Sequence, residues 1–135
     1  MIEILNAISD KLHQYEYVSA IFLDLSKAFD TCQHTILIEK LKAYGVRGVP
    51  LDWFCSFLDQ RTQRVFVNDT MSTNSNTVKV GVPQGSILGV LFFLIYINDL
   101  PMSSILHCSM YADDSTFLNS SKCLSTLESS TENEL

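Results

Sequence analysis

Three carboxylates stand where packing gives no reason for them. Asp24 falls near the end of the apolar stretch "YVSAIFLDL" (17–25), and Asp113 and Asp114 sit side by side in "SMYADDSTFL" (109–118). A carboxylate taken out of water without a partner is costly, so it must pair, protonate or bind a cation. No Lys or Arg obviously accompanies the three, although Lys27 is close in sequence to Asp24. Hard divalent ions favour oxygen ligands, and Mg²⁺ is usually held by one or two carboxylates, with waters and substrate phosphates completing its shell. Two such ions about 3.5–4 Å apart can activate one oxygen and stabilise the leaving one in phosphoryl transfer. The same residues also have ordinary readings. Asp-Asp between two strands is common turn chemistry, and Asp24 could cap a following helix. Neither signal suffices by itself.

Periodicity outlines the elements that must position these acids. Residues 1–13 place Ile4, Leu5, Ile8 and Leu12 at helical spacing. "YVSAIFLDL" is apolar on both alternating faces, which suits a central, doubly covered strand. In "KAFDTCQHTILIEKLKAYG", Phe29, Leu37, Leu41 and Tyr44 fall near helical phase, with Gly45 as a helix stop. A second helix is expected from Pro50, carrying Trp53, Phe54, Phe57 and Leu58 inward. "RVFVN" (64–68) and "TVKVGV" (77–82) predict a β-hairpin around the polar loop "DTMSTNSN". Ser86, in "PQGS", is a candidate cap for a buried helix running to about Asp99, and Pro101 ends that region. "ILHCSMY" and "STFLN" read as two short strands joined by a tight turn through Ala112, Asp113 and Asp114. The tail "SKCLSTLESSTENEL" begins a weak amphipathic helix. This order predicts an α+β fold, with helices on one face of a small antiparallel sheet.

The bulk numbers set the outer limits. At 135 residues the chain is one domain of ordinary size or part of a larger one, and 47% hydrophobic residues suit a packed core. "MIEILNAISDKL" lacks a basic start or cleavage pattern, and "ILGVLFFLIYI" (87–97) is too short to span a bilayer. No membrane partner is therefore expected. Cys32, Cys55, Cys108 and Cys123 are far apart with no C-x-x-C pair, which argues for reduced packing cysteines in an intracellular protein over a zinc knuckle. The net charge of −6, from 15 acids against 9 basic residues, taken alone argues against a nucleic-acid binder.

Spacing and order decide between these readings. "FLDLSKAFD" (22–30), "GVPQGSILGVLFFLIYINDL" (81–100) and "YADD" (111–114) succeed one another along the chain, with "HTILIEKLKAYGVRG" and "QRTQRV" between the first two. Together, over about residues 16 to 120, they closely resemble the palm of a reverse transcriptase of non-LTR, LINE-like retrotransposons. The resemblance implies a polymerase palm built on a small, ferredoxin- or RRM-like antiparallel sheet. It makes residues 1–135 a single partial domain, mainly palm, with most of the fingers and the thumb absent. Those segments, and an endonuclease of the parent polyprotein, would be its missing partners.

The resemblance also implies roles. Asp24 and Asp113 would be the principal ligands of two Mg²⁺ ions, with Mn²⁺ as a substitute. Asp114 would support the second ligand, and the backbone carbonyl of Leu25 would be a further metal contact. A primer 3′-hydroxyl would attack the α-phosphate of a deoxynucleotide on an RNA template, releasing pyrophosphate, with the protein mostly positioning groups and neutralising charge. Ala28 and Phe29 fall on the nucleotide side, Phe29 where the family's steric gate against a 2′-hydroxyl sits. Read without the family, Phe29 would be a core aromatic. Gln84 and Gly85 match positions lining the nucleotide and template side, and Tyr111 and Ala112 match residues beside the primer terminus. Arg61 and Arg64 are candidates for phosphate contact against the ordinary reading of solvated arginines, and Lys27 is either a local partner of Asp24 or a site residue. His13, His34 and His107 are assigned ordinary structural roles.

The departures from the family pattern are modest: Gln33 where Asp is frequent, Val90 where Pro is usual, and "DST" where "DTT" is common. None removes a metal ligand. A palm concentrates acids while fingers and thumb supply cations, which reconciles the charge of −6 with a polymerase, and the chain alone is expected not to polymerise. The competing reading is a non-catalytic palm-derived binding or structural remnant of a retrotransposon. An RNA-directed RNA polymerase is disfavoured by Phe29 and Ala112. If Phe29 is the steric gate, Phe29→Ala or Phe29→Val in a complete enzyme should admit ribonucleotides, read as the ratio of deoxynucleotide to ribonucleotide incorporation. Unchanged sugar discrimination would remove Phe29 from the role.

Overall fold

The computed structural model describes residues 2–59 and 61–134. Met1, Gln60 and Leu135 lie outside the described residues; they open the predicted first helix, open the "QRTQRV" link and close the tail. The chain is organised as two compact units, one made of the residues up to Ser26 together with those from Asp99 onward, the other of Lys27–Asn98.

In the first unit, helix α1 (Ile2–His13) leads into strand β1 (Tyr17–Asp24), and the later segment supplies β6 (His107–Tyr111), β7 (Asp114–Ser121) and helix α5 (Leu124–Asn133). The three strands form one antiparallel sheet in the order β1-β7-β6. The tight turn after Tyr111 obliges β6 to take one side of β7, so β1 occupies the other side and its own far side becomes a sheet edge. Strand β1 is therefore not the central strand that its apolar alternation predicts, and Phe22 is 72% exposed. The central role falls to β7, where Ser115, Thr116, Phe117 and Leu118 are buried in succession, as expected of a strand covered on both faces. Helices α1 and α5 both pack against β1, and α5 also against β7, through buried Leu127. The apolar stripe of α1 stays largely open, with Leu5 and Leu12 exposed. Its C-terminal end is tied to the sheet by Glu16, which accepts from Ser120 Oγ at 2.8 Å and pairs with Lys11 at 3.6 Å. The Ser120 hydroxyl, ahead of Lys11, holds the Glu16 carboxyl below its usual range.

The second unit packs three helices: α2 (His34–Ala43), α3 (Val49–Leu58) and α4 (Ile87–Ile97). Helix α2 touches both others. The helical phase from Phe29 to Tyr44 is broken: Ala28–Asp30 form a 3-10 turn, and Gln33 is extended at the start of α2. The carbonyls ahead of it are taken, Cys32 O accepting from Gly81 N and Phe29 O from Val82 N, so the helix cannot begin earlier. Trp53, predicted inward, and Tyr44, read at helical phase, are both more than half exposed. The Tyr44 hydroxyl accepts from Asn98 at 2.6 Å, and Lys40 Nζ donates to the Tyr96 carbonyl while lying over its ring.

The core of this unit is Leu37, Leu41, Leu58, Phe92 and Phe93, all almost fully buried. Each such side chain contributes roughly 1.5–3 kcal/mol through burial. Phe54 meets Phe92 edge-on at 5.2 Å, and Phe57 lies 6.0 Å from the same ring. The four cysteines are free thiols, and Cys32 is fully buried, its thiol raised chiefly by that burial. Helix α4 is apolar all round, yet only one face is buried; Ile87, Val90, Leu91 and Leu94 are exposed. Among the described residues no helix is long and apolar enough to cross a membrane.

The predicted long-loop hairpin is instead two nested ladders. The outer one pairs β2 (Thr62–Gln63) with β5 (Asn76–Thr77), and the inner one pairs β3 (Phe66–Val67) with β4 (Thr70–Met71). Asn68 and Asp69 turn the inner ladder with φ of 47° and 58°, the two positive values that a two-residue type I′ turn requires.

Ser86 caps α4 as its sequence position predicts. Its hydroxyl accepts from Gly89 N at 2.9 Å and donates to the Pro83 carbonyl at 2.8 Å. That closed loop leaves no room for a side chain at residue 89, where a Cβ would run into the Pro83 carbonyl oxygen and Ser86 Oγ. Backbone cannot swing aside as a side chain can. Gly89→Ala is therefore expected to cost about 2 kcal/mol or more in urea melts of the chain, and a change below about 0.5 kcal/mol would contradict this packing.

Candidate functional site

The register of the first unit brings two of the three acids face to face. Asp24 is the Cα partner of Asp114 across β1 and β7, and Tyr111 is the partner of Asp114 across β6 and β7. Directly opposed residues of an antiparallel pair share a face, with Cβ atoms about 4.5–5.5 Å apart, and like charges so placed repel. Asp113 is the second residue of the two-residue turn between β6 and β7, so the turn is shorter than predicted and Asp114 opens the strand. Ala112, the first turn residue, has φ 55°, a left-handed conformation that a residue with a Cβ adopts at a cost. Local strain thus helps set the position of the acid next to it.

Asp24 and Asp114 are exposed and Asp113 is half-buried, so mutual repulsion rather than burial is what these carboxylates must offset. Within their unit, among the described residues, no lysine, arginine or histidine forms an ion pair with any of them. Asp24 does not cap the 3-10 turn that comes after β1; the residue before that turn is Lys27, with φ 54°. Ser115 Oγ is buried without a hydrogen-bond partner among the described residues, but strand alternation puts it on the opposite face from Asp114, where it is no ligand. Among the described residues no group of three or more His, Cys, Asp or Glu side chains is gathered as a closed metal cage. The donor set is instead a cross-strand oxygen pair beside a third carboxylate, which fits a hard cation that keeps most of its shell for water and phosphate. Leu25 comes directly after the last residue of β1, Ala112 is exposed, and Tyr111 is 83% exposed.

The residues expected on the nucleotide side lie in the second unit. Phe29 stacks on Phe93 with ring centroids 4.6 Å apart and is only half-buried; its ring serves the core and keeps one part open. Ala28, in the same turn, is buried. Gln84 and Gly85 are exposed in the loop before α4.

That loop is joined to the Phe29 segment by a short backbone zipper. Val82 N donates to the Phe29 carbonyl at 2.7 Å, and Gly81 N to the Cys32 carbonyl at 2.7 Å. Two side chains reach the same place: the Gly81 carbonyl is 2.7 Å from His34 Nε2 and 3.4 Å from Arg61 Nη1. Arg64 Nη1 lies 3.8 Å from Met71 Sδ. Gly81 and His34 were not legible as site residues. Gly81 reads as part of the strand "TVKVGV", and nothing in "QHTIL" reveals a contact with a residue 47 positions on.

The family described as reverse transcriptase (RNA-dependent DNA polymerase) matches residues 3–132. The chain is 36% identical over 134 residues to a probable RNA-directed DNA polymerase from transposon BS of Drosophila melanogaster, covering 89% of this chain and 14% of that protein. It is 36% identical to the corresponding protein of transposon X-element from the same fly, over 90% of this chain and 13% of the relative. It is 30% identical to the RNA-directed DNA polymerase of its mobile element jockey, over 90% and 14%. The chain thus spans about one seventh of the length of the curated relatives it matches.

The opposed pair makes a stability claim independent of any reaction. With EDTA present and at low salt, Asp114→Asn should stabilise the chain by about 0.2–1 kcal/mol in urea melts, because one of two facing charges is gone. The gain should shrink as salt screens the pair. A loss of stability instead would show that the carboxylate already makes a favourable contact.

Proposed function

This chain belongs to the reverse transcriptase family, among the non-LTR, LINE-like elements, and we propose that it forms the palm of an RNA-directed DNA polymerase that joins deoxynucleotides to a primer 3′-hydroxyl on an RNA template. The observation that carries this reading is the register that sets Asp24 opposite Asp114, with Asp113 in the adjoining turn. Asp24, Asp113 and the Leu25 carbonyl would hold two divalent ions, Mg²⁺ or Mn²⁺ in its place, with Asp114 in support. When bound, these ions supply Lewis acidity to the attacking and leaving oxygens. The chain's own part is to hold negative charge at fixed positions on a rigid hairpin, so that phosphate and hydroxyl are aligned before reaction.

Tyr111 and Ala112 flank the acids on the hairpin and take the primer side. Phe29, held by its stack on Phe93, is the barrier to a 2′-hydroxyl. Ala28 in the same turn and Gln84 and Gly85 in the loop before α4 complete the nucleotide side. With 15 acidic residues against 9 basic ones, the chain has too few cations to grip a template and primer, so phosphate neutralisation comes from other parts of a longer protein.

The test is primer extension on an RNA template by a polymerase that carries this segment. Asp24→Asn and Asp113→Asn should each lower the rate by about 10³-fold or more, equivalent to about 4 kcal/mol of barrier. Glu3→Gln, exposed at the start of α1, should leave it unchanged. Activity retained in either metal-side variant would contradict the proposal.

A further inference from the structure

We infer that His34 is a positioning residue for sugar choice: its imidazole latches the "GVPQG" loop to the segment that carries Phe29. The inference rests on the polymerase reading only for its catalytic consequence; the latch itself stands on geometry. Two backbone hydrogen bonds join the two segments, Val82 to Phe29 and Gly81 to Cys32, the second forming the bridge that sets Gln33 beside Val80. Two side chains add to them on the Gly81 carbonyl: His34 at 2.7 Å and Arg61 at a weaker 3.4 Å. His34 is thus the stronger element of this junction that a substitution can remove.

The junction has no slack. Gly81 has φ +91°, and a Cβ there would lie 2.9 Å from both the Cα and the carbonyl oxygen of Asp30. Backbone therefore rests directly on backbone, one residue away from Phe29. Any shift of the loop at Gly81 is passed to Asp30 and so to the Phe29 ring, whose other anchor is the stack on Phe93. His34 is the first residue of α2, and α2 packs on α4, so the imidazole projects from a helix fixed by the core. A loop held from a rigid helix keeps its position better than one held by another loop. Gln84 lies three residues beyond Gly81, so the same latch bears on Gln84 as well as on Phe29.

The test pairs two readouts. Amide exchange at Gly81 and Val82 is measured in the chain, and deoxynucleotide-over-ribonucleotide selectivity in a polymerase carrying the segment. His34→Leu and the smaller, polar His34→Asn remove the donor at the Nε2 position; His34→Gln keeps an N–H at similar reach. Both removals should speed exchange about tenfold and lower selectivity about tenfold, the scale of one lost hydrogen bond, while His34→Gln stays within about twofold of the parent on each. Unchanged exchange in both removals overturns the latch. Faster exchange with unchanged selectivity, in an enzyme whose Phe29→Val variant relaxes sugar choice, overturns the positioning role. If Phe29→Val itself leaves sugar choice intact, the nucleotide-side reading fails and the positioning role with it, while the exchange arm still decides the latch.

Discussion

Two carboxylates opposed across one strand pair are the constraint around which the first unit is built. Asp24 and Asp114 meet because β1 and β7 pair in one register, and a slip of one residue would turn every side chain of β1 to the other face. That register is specified by the burial of β7 and by the packing of α1 and α5 on β1. The hairpin turn then places Asp113 beside the pair at the expense of a left-handed Ala112. Apolar packing and local strain together hold a charge arrangement that is unfavourable by itself. A fold that maintains such repulsion suits a cation better than it suits an empty surface.

The second unit meets a different demand, which is to hold two loops still. Its aromatic core fixes α2, α3 and α4, and the backbone zipper around Gly81 transfers that rigidity to the Phe29 turn and the loop before α4. Phe29 is shared between core and solvent, stacked on Phe93 yet only half-buried. The Ser86 cap and the close approach at Gly89 anchor the other end of the same loop.

Much of this was legible in the sequence, and the failures have physical causes. The α+β class, the α4 cap at Ser86 and the strands flanking the acids all arise from local patterns that tertiary structure did not override. The edge position of β1 was not legible, because alternation reports what a strand's faces touch and not how many neighbours it pairs with. The Asn68–Asp69 turn was hidden because Asn68 was read as the end of the strand "RVFVN" and Asp69 as the start of a long polar loop. The helical phase of Phe29 was misleading because the carbonyls of Phe29 and Cys32 bond to Val82 and Gly81, partners far along the chain. His34 escaped for the same reason: a long-range hydrogen bond leaves no periodic trace. For the acids, spacing raised the question, and only the register showed that two of them face one another.

The most direct test of the central claim is paramagnetic mapping with Mn²⁺ on the isotopically labelled chain. Broadening should centre on the amides of Asp24, Leu25, Asp113 and Asp114 and disappear in the Asp24→Asn variant. Broadening centred instead on the acidic end of α5, around Glu128 and Glu132, or unchanged by that substitution, would contradict the account.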